Sequence, residues 1–477
     1  MNLFLFDDDT VPLPPVITNQ SFQRVTAVFD TLSRSGGGSA PGITVRARED
    51  VLVDAKAVDE RVRAGQNPPL AGTLVVAPPS APLCRRLARA GAVVLGTTEP
   101  GREPEVPPGD ADRPGDGGYG RRLTRMDPWN GADAVIVSGT PGVRGPDAVV
   151  FVPTRGLVPH AGTVSVLAGD VAVGQRIASA LTGPDADAPG CRDWPDWAPL
   201  SAGEHPRVAA LEGDPPEPET RRHFGDTIAS LRAAGALVEP IDTAPGTRHG
   251  GGHPAAVALR DHDALLVPWT TRATGLPPLV GELDATAVAL PDAGGRGIAL
   301  VAQAFDDQVV LDLAGLLTGA QASQPYPTVG VGLIAFGAFL RGQPRQAELD
   351  RVRARFAGQV TTAARYRMLA LGGDPPEAGV VTEAAPDGTG VGLVAERWLL
   401  SPAGLAEFAT HLRPPMRLGG VELADGSRDL GVLCEPDVAA RGTDVTAWGC
   451  WRAYLRHLST QRPSVRYPDA CVQGSAR

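Results

Sequence analysis

The sequence predicts an α/β protein of two domains, a mixed or parallel sheet with helices followed by a smaller α+β domain. Three observations carry this expectation. The chain has 477 residues, more than the about 250 to 300 at which one hydrophobic core stops growing. Helical and strand periodicities alternate along residues 21–317, as they do where helices connect the strands of one sheet. Past a segment of linker composition at 319–328, the pattern changes to short strands and hairpin turns. The boundaries expected are an N-terminal extension at 1–20, an α/β domain at 21–320, a linker at 321–328, a C-terminal domain at 329–460 and a tail at 461–477.

The elements follow in order. Along 21–32, Phe22, Val25, Val28, Phe29 and Leu32 recur at helical spacing, and glycines 36–38 end that helix. A second helix spans 49–63, with Val51, Leu52, Ala55 and Val58 facing the core. Lys56 stands among Asp54, Asp59 and Glu60, so it is expected in water, loosely paired with Glu60. Residues 72–76 form a buried strand stopped by Pro78 and Pro79, followed by a helix at 82–90 and a strand at 92–95. Residues 101–120, dense in Gly, Pro and Asp, read as a loop or disordered insert. Strands at 134–137 and 148–152 precede a loop at 153–162 and a helix at 171–181. A Pro-rich acidic connection at 183–218 leads to a helix at 223–234, strands at 236–241 and 264–268, and a helix at 307–317.

In the C-terminal domain, strands are expected at 329–336 and 366–371, then a hairpin across 380–398 turning at 387–389. A short helix at 405–411 precedes a hairpin at 421–433 around the Asp425-Gly426 turn. An aromatic helix at 445–458 closes the domain, and the residues after 459 read as a frayed tail.

Composition narrows the function without naming it. A net charge of −10 argues against a nucleic-acid partner, which calls for basic charge gathered on one face. No apolar run reaches the about 18 residues of a membrane-spanning helix, and residues 1–9 lack the basic start of a signal peptide. A cytoplasmic protein with no membrane partner is expected. The five cysteines are odd in number and without close pairs, which suits reduced thiols better than disulfides or a zinc site. No pattern calls for a metal, a nucleotide or a flavin, so no cofactor is expected. His249 and His253 flank three glycines, but no Gly-x-Ser-x-Gly elbow follows, so that segment reads as a flexible loop. Trp194 and Trp197 read as cover for the core. Lys56 is the only lysine.

Two segments are more specific. Residues 152–162 read VPTRGLVPHAG, and 420–455 contain GVELADGS, GVLCEP and DVTAWGCWRAYL. Both resemble allophanate hydrolase, an amidase-signature enzyme with an added C-terminal domain. The first is similar to the family's KPTRGLVS loop, with Val152 in place of its lysine. The second is similar to the family's VELADG, GFLCEP and DIT-FGGWRAYL run. Shorter likenesses, PLAG at 69–72, AGAVVLG at 90–96, DALLVP at 263–268 and the helix after Asp307, lie in the same order, so the resemblance covers about 21–458. It implies an amidase-signature-like mixed sheet with helices, joined to a barrel-like C-terminal domain resembling the γ-glutamylcyclotransferases.

The resemblance also implies a relay in which a serine attacks an amide after losing its proton through a second serine to a neutral lysine. Such a base must lie within about 2.6 to 3.2 Å of the proton it takes. The family's lysine falls at Pro78 and the aspartate after it at Pro79. Its serine run falls within 127–150, where only the SGTPG beginning at Ser138 is remotely similar. That interval is too short for both serine-bearing elements. Ser138 is therefore the candidate nucleophile, without its base. Lys56 is a poor substitute, since a mechanistic lysine needs a desolvated pocket and an exposed helix offers none.

In the C-terminal domain the family's loop reads close to GAHLSGMPLNHQL, with a histidine as expected acid/base. Here 337–349 reads GAFLRGQPRQAEL, with Phe339 and Ala347 at the two histidine positions. A backbone cradle of Gly337, Leu340 and Gly342 remains as the candidate substrate-binding loop, and Arg341 and Arg345 could hold a carboxylate. Glu396 is the candidate base, although one carboxylate with no identified partner reads first as a polar strand position or a structural hydrogen bond. The expected function is that of an allophanate hydrolase-like protein without amidase activity, binding a partner or a small urea-like or carboxylated ligand. The alternative is an active amidohydrolase of allophanate or urea-type C–N bonds, or a recruited enzyme of specialised metabolism, with a rearranged site. A homodimer, or a complex with an active paralogue, is the expected assembly.

Overall fold

The computed structural model describes residues 20–34, 42–98, 131–139, 148–186, 188, 190–212, 218–242, 254–270, 280–291, 296–372, 376–382 and 391–461. Two compact units form: Met1–Pro195 with Glu204–Thr328, and Asp196–Gly203 with Val329–Arg477.

The first unit runs α1 (Gln20–Arg34), β1 (Ile43–Val45), α2 (Arg48–Arg63), β2 (Leu74–Ala77), α3 (Ala81–Ala90) and β3 (Val93–Thr98). Then come β4 (Ala134–Ser138), β5 (Val149–Val152), β6 (Val164–Ala168), α4 (Val171–Leu181), β7 (Arg207–Glu212) and α5 (Pro218–Ala233). It closes with β8 (Leu237–Asp242), α6 (Pro254–Asp261), β9 (Ala264–Thr270), β10 (Ala285–Pro291), β11 (Arg296–Gln303) and α7 (Asp307–Thr318). Its strands make one mixed sheet of eleven, ordered β1-β3-β2-β4-β6-β5-β10-β11-β9-β7-β8. Strands such as LVVA in β2 and VVFV in β5 are buried along their whole length, as in a sheet covered on both faces.

Two carboxylates fix helix α1 to its neighbours. The Asp59 side chain, on α2, accepts hydrogen bonds from the amides of Ser21 and Phe22 at 3.0 Å each, satisfying donors that the first turn of α1 cannot pair within itself. Asp59 is thus buried, unlike its exposed helix neighbour Lys56. Asp133, just before β4, accepts from the amide of Leu74 at 2.8 Å and from Arg24 at 2.7 Å. Strands β1, β6, β7, β10 and β11 and helix α6 were not anticipated. Trp194 packs edge-on against Tyr326 and Phe305, whereas Trp197 is more than half exposed.

The second unit contains β12 (Val331–Ala335), α8 (Gln346–Arg351), β13 (Arg355–Thr361), β14 (Tyr366–Leu371), β15 (Glu377–Thr382) and β16 (Val394–Leu400). It continues with α9 (Pro402–His411), β17 (Met416–Glu422), β18 (Arg428–Cys434), β19 (Thr443–Asp444) and α10 (Trp451–Gln461). Five strands form a sheet in the order β13-β16-β12-β18-β17, and three form a second as β15-β14-β19. The hairpin expected at 421–433 is present, with Glu422 paired to Arg428 across the turn. The hairpin expected across 380–398 is not: β15 pairs with β14, while β16 lies between β12 and β13. Its predicted turn at 387–389 lies outside the described residues. The five-stranded sheet carries apolar residues on both faces, Leu333, Ala335, Trp398 and Leu400 on one and Ile334, Phe336 and Ala395 on the other.

Candidate functional site

In the first unit, Ser138 is the last residue of β4 and is exposed there, while the four residues before it are buried. β2 runs parallel to β4, with Val75 opposite Ala134 and Val76 opposite Val135. Continued past the strand, that register sets Pro78 level with Val137 and Pro79 level with Ser138; Pro78 is buried and Pro79 exposed. Proline has no titratable side chain and no amide N–H. Thr140, Pro141 and Gly142 lie outside the described residues, as do His249 and His253.

The signature-like loop after β5 is held by a buried carboxylate. The Asp307 side chain at the start of α7 accepts from the Thr154 amide at 2.8 Å, from the Thr154 hydroxyl at 2.6 Å and from the Thr286 hydroxyl at 3.1 Å. Thr154 in turn accepts from the amide of Phe305 at 2.7 Å. Complete burial pushes the Asp307 carboxyl up to about 6, although the donors from Thr154 and Thr286 pull it down. Val152, at the position of the family's loop lysine, is a fully buried strand residue. This cluster gives Thr154 of the PTRG segment a structural task.

In the second unit, the structure brings the loop at 337–345, Glu396 and one unforeseen residue together. Gly337 adopts φ 59° and Gly342 φ 73°, and a side chain at Gly337 would run into Ala378, so both turns need glycine. Glu396 lies on the inner strand β16, opposite Ala335 and Gln359, and is buried. One of its oxygens accepts from the Arg341 amide at 2.8 Å and the other from Arg452 Nη2 at 2.8 Å. The same Nη2 of Arg452, on α10, donates to the Arg341 carbonyl at 2.7 Å. The Gly342 amide is taken by Gln346 Oε1 at 2.5 Å, and the Leu340 amide by the Gly337 carbonyl at 3.2 Å.

These bonds decide what the site can do. The cradle amides of Leu340, Arg341 and Gly342 point at partners within the chain, so a ligand has to be held by side chains around the loop. Both Glu396 oxygens receive donors, and a buried carboxylate so neutralised is an anchor for the loop more than a proton acceptor. Arg345 is bound through Nε to Glu348 at 2.7 Å and lies 4.2 Å over the Phe339 ring. Phe339, at a family histidine position, is therefore a core aromatic. Arg341 lies 4.6 Å over the ring of Phe356, whose ring meets Trp398 at 5.6 Å and 73°. Sequence reasoning missed Arg452, Phe356 and Trp398. Arg452 sits in the WRAYL motif, a signal that marked the segment without giving the residue a task.

The mixed sheet with helices, followed by the separate α+β unit, defines the class: an amidase-signature fold with an appended C-terminal domain. More particularly, residues 331–456 match the allophanate hydrolase C-terminal domain, and the second unit belongs to that family. Over both units the fold is that of allophanate hydrolase from Kluyveromyces lactis, with a TM-score of 0.68, 17% identity, and 92% of this chain and 97% of that one covered. The K. lactis urea amidolyase gives a TM-score of 0.67 at 17% identity, covering 92% of this chain and 36% of its own. In sequence, the urea amidolyase of Lachancea kluyveri is 25% identical over 242 residues, 45% of this chain and 12% of the relative. That of Saccharomyces cerevisiae is 25% identical over 228 residues, 42% of this chain and 11% of its own. The match thus spans about an eighth of the length of these curated relatives. Among the described residues no helix is long and apolar enough to cross a membrane.

Proposed function

We propose that this chain is an allophanate hydrolase-like protein whose first unit does not hydrolyse amides and whose second unit binds a small urea-like or carboxylated ligand beside the loop at 337–345. One observation carries the first half: the residues that follow β2 level with Val137 and Ser138 are Pro78 and Pro79, where an amide-cleaving serine needs a base. The single lysine lies exposed on α2, and supplies no desolvated amine. For the second half, the support is a loop braced from two elements, Glu396 on β16 and Arg452 on α10, with an arginine lying over an aromatic ring at its rim. Bracing of that kind preorganises a loop for recognition. The test is ammonia release by the purified chain supplied with allophanate, urea, biuret or simple amides. No turnover is expected. Turnover abolished by Ser138→Ala or by Glu396→Gln would restore the reading as an active amidohydrolase.

A further inference from the structure

Residues 196–203, reading DWAPLSAG, lie between α4 and β7 in sequence yet belong to the second unit. Ala198 and Leu200 are fully buried there, and Ala202 nearly so. What they cover is one end of the five-stranded sheet. A Cβ on Gly330, just before β12, would stand 3.1 Å from Leu200 Cδ1 and 3.5 Å from Leu399 Cβ. Leu399, on β16, is paired opposite Arg355, the first residue of β13, and Arg355 Nη1 donates to the Leu200 carbonyl at 3.4 Å. The segment also completes the start of α9. Pro402, its first residue, has no N–H to place, and the Gly404 amide is taken by the Ser401 side chain at 3.1 Å. Between them the Ala403 amide donates to the Asp196 carbonyl at 3.0 Å, a partner that the first turn of a helix cannot supply for itself.

We propose that residues 196–203 act as a strap that fastens this end of the sheet, holding the start of β13 and the first turn of α9 in place. β13 needs such a hold. It lies at the edge of its sheet, none of its seven residues is buried, and its register shifts between Phe356 and Gly358. Its far end is fastened separately, where Thr361 accepts from the Ala424 amide at 2.9 Å. Its near end has the pairing with β16 and the strap. A strand with so little buried surface of its own opens locally when such a contact is lost. Phe356, next to Arg355, carries the Arg341 guanidinium over its ring, so the strap also steadies a support of the loop at 337–345. The match to the C-terminal domain begins at residue 331, and the strap comes from sequence outside it. This inference concerns position alone and stands whether or not that loop takes a ligand.

The experiment is hydrogen exchange of the full chain, read peptide by peptide by mass spectrometry, in the wild type, Leu200→Ala and Gly330→Ala. The first variant removes the buried side chain of the strap, and the second pushes against it from the sheet. The expected result in both is exchange about tenfold faster or more in the peptides that cover Ala403 and 355–361. Strands β14 and β15 and the strands of the first unit should keep their wild-type rates. If exchange instead rises evenly through the second unit, as expected for the core variant Leu433→Ala, the segment is ordinary core and the strap falls. Wild-type rates at Ala403 and 355–361 in both variants overturn it equally. Should Leu200→Ala fail to fold, Gly330→Ala decides alone, since it leaves every side chain of the strap intact.

Discussion

At the scale of single residues, two buried carboxylates do different work. Asp307 is raised to about 6 by burial from an ordinary value of 3.8, so between those values the folded chain holds a proton that the unfolded chain has released. The contribution of this group to stability therefore falls as pH rises from about 4 to about 6 and is constant on either side. The contribution is about 3 kcal/mol. Urea unfolding followed across this range should show that decline, and Asp307→Asn should remove it. Glu396 depends instead on its partner. Arg452→Ala leaves the carboxylate buried with only the Arg341 amide, and should cost about 2 kcal/mol, less than for a fully buried pair because Arg452 keeps about a third of its side chain in water. Adding Glu396→Gln to that variant should recover part of the loss, as measured by the same unfolding curves.

At the scale of elements, the anchors at helix starts explain why local reading succeeded where it did. Helix α1 was legible from Phe22, Val25 and Phe29, but the group that secures its first turn, Asp59, comes from another helix and looked like surface charge beside Lys56. Asp59→Ala should release that turn at a cost of about 1 kcal/mol, the usual value of a helix cap, with faster hydrogen exchange at the first amides of α1 and little change in α2. Strand β7 was hidden inside a Pro-rich stretch. β13, reading RFAGQVT, alternates poorly because its register shifts between Phe356 and Gly358. The hairpin predicted across 380–398 failed for a nonlocal reason: β16 is claimed by β12 and β13, strands more than 30 residues away in sequence. Gly337→Ala should disorganise the 337–345 loop, since the backbone there is left-handed and Ala378 occupies the space. Loss of the ring-current signature of Arg341 over Phe356 would report it.

For the whole molecule, the order of motifs carried more than their local pattern did. VPTRG, VELADG and WRAYL placed both units in one fold before any pairing was known, and the structure supports that fold throughout. The site was only half legible. The loop and Glu396 could be named from sequence, but Arg452 reaches Glu396 across 56 residues, and Trp398 meets the Phe356 ring only through the pairing of β16 with β13. In the first unit the reverse holds. Pro78 and Pro79 were oddities of alignment until the parallel register of β2 and β4 set them level with Val137 and Ser138.

The central claim is that Ser138 is not an activated nucleophile, and covalent labelling tests it most directly. Intact-mass measurement after incubation with a fluorophosphonate should return the unmodified chain, because a serine without a base stays unreactive toward the phosphorus centre. A single adduct that maps to Ser138 and disappears in Ser138→Ala would contradict the account.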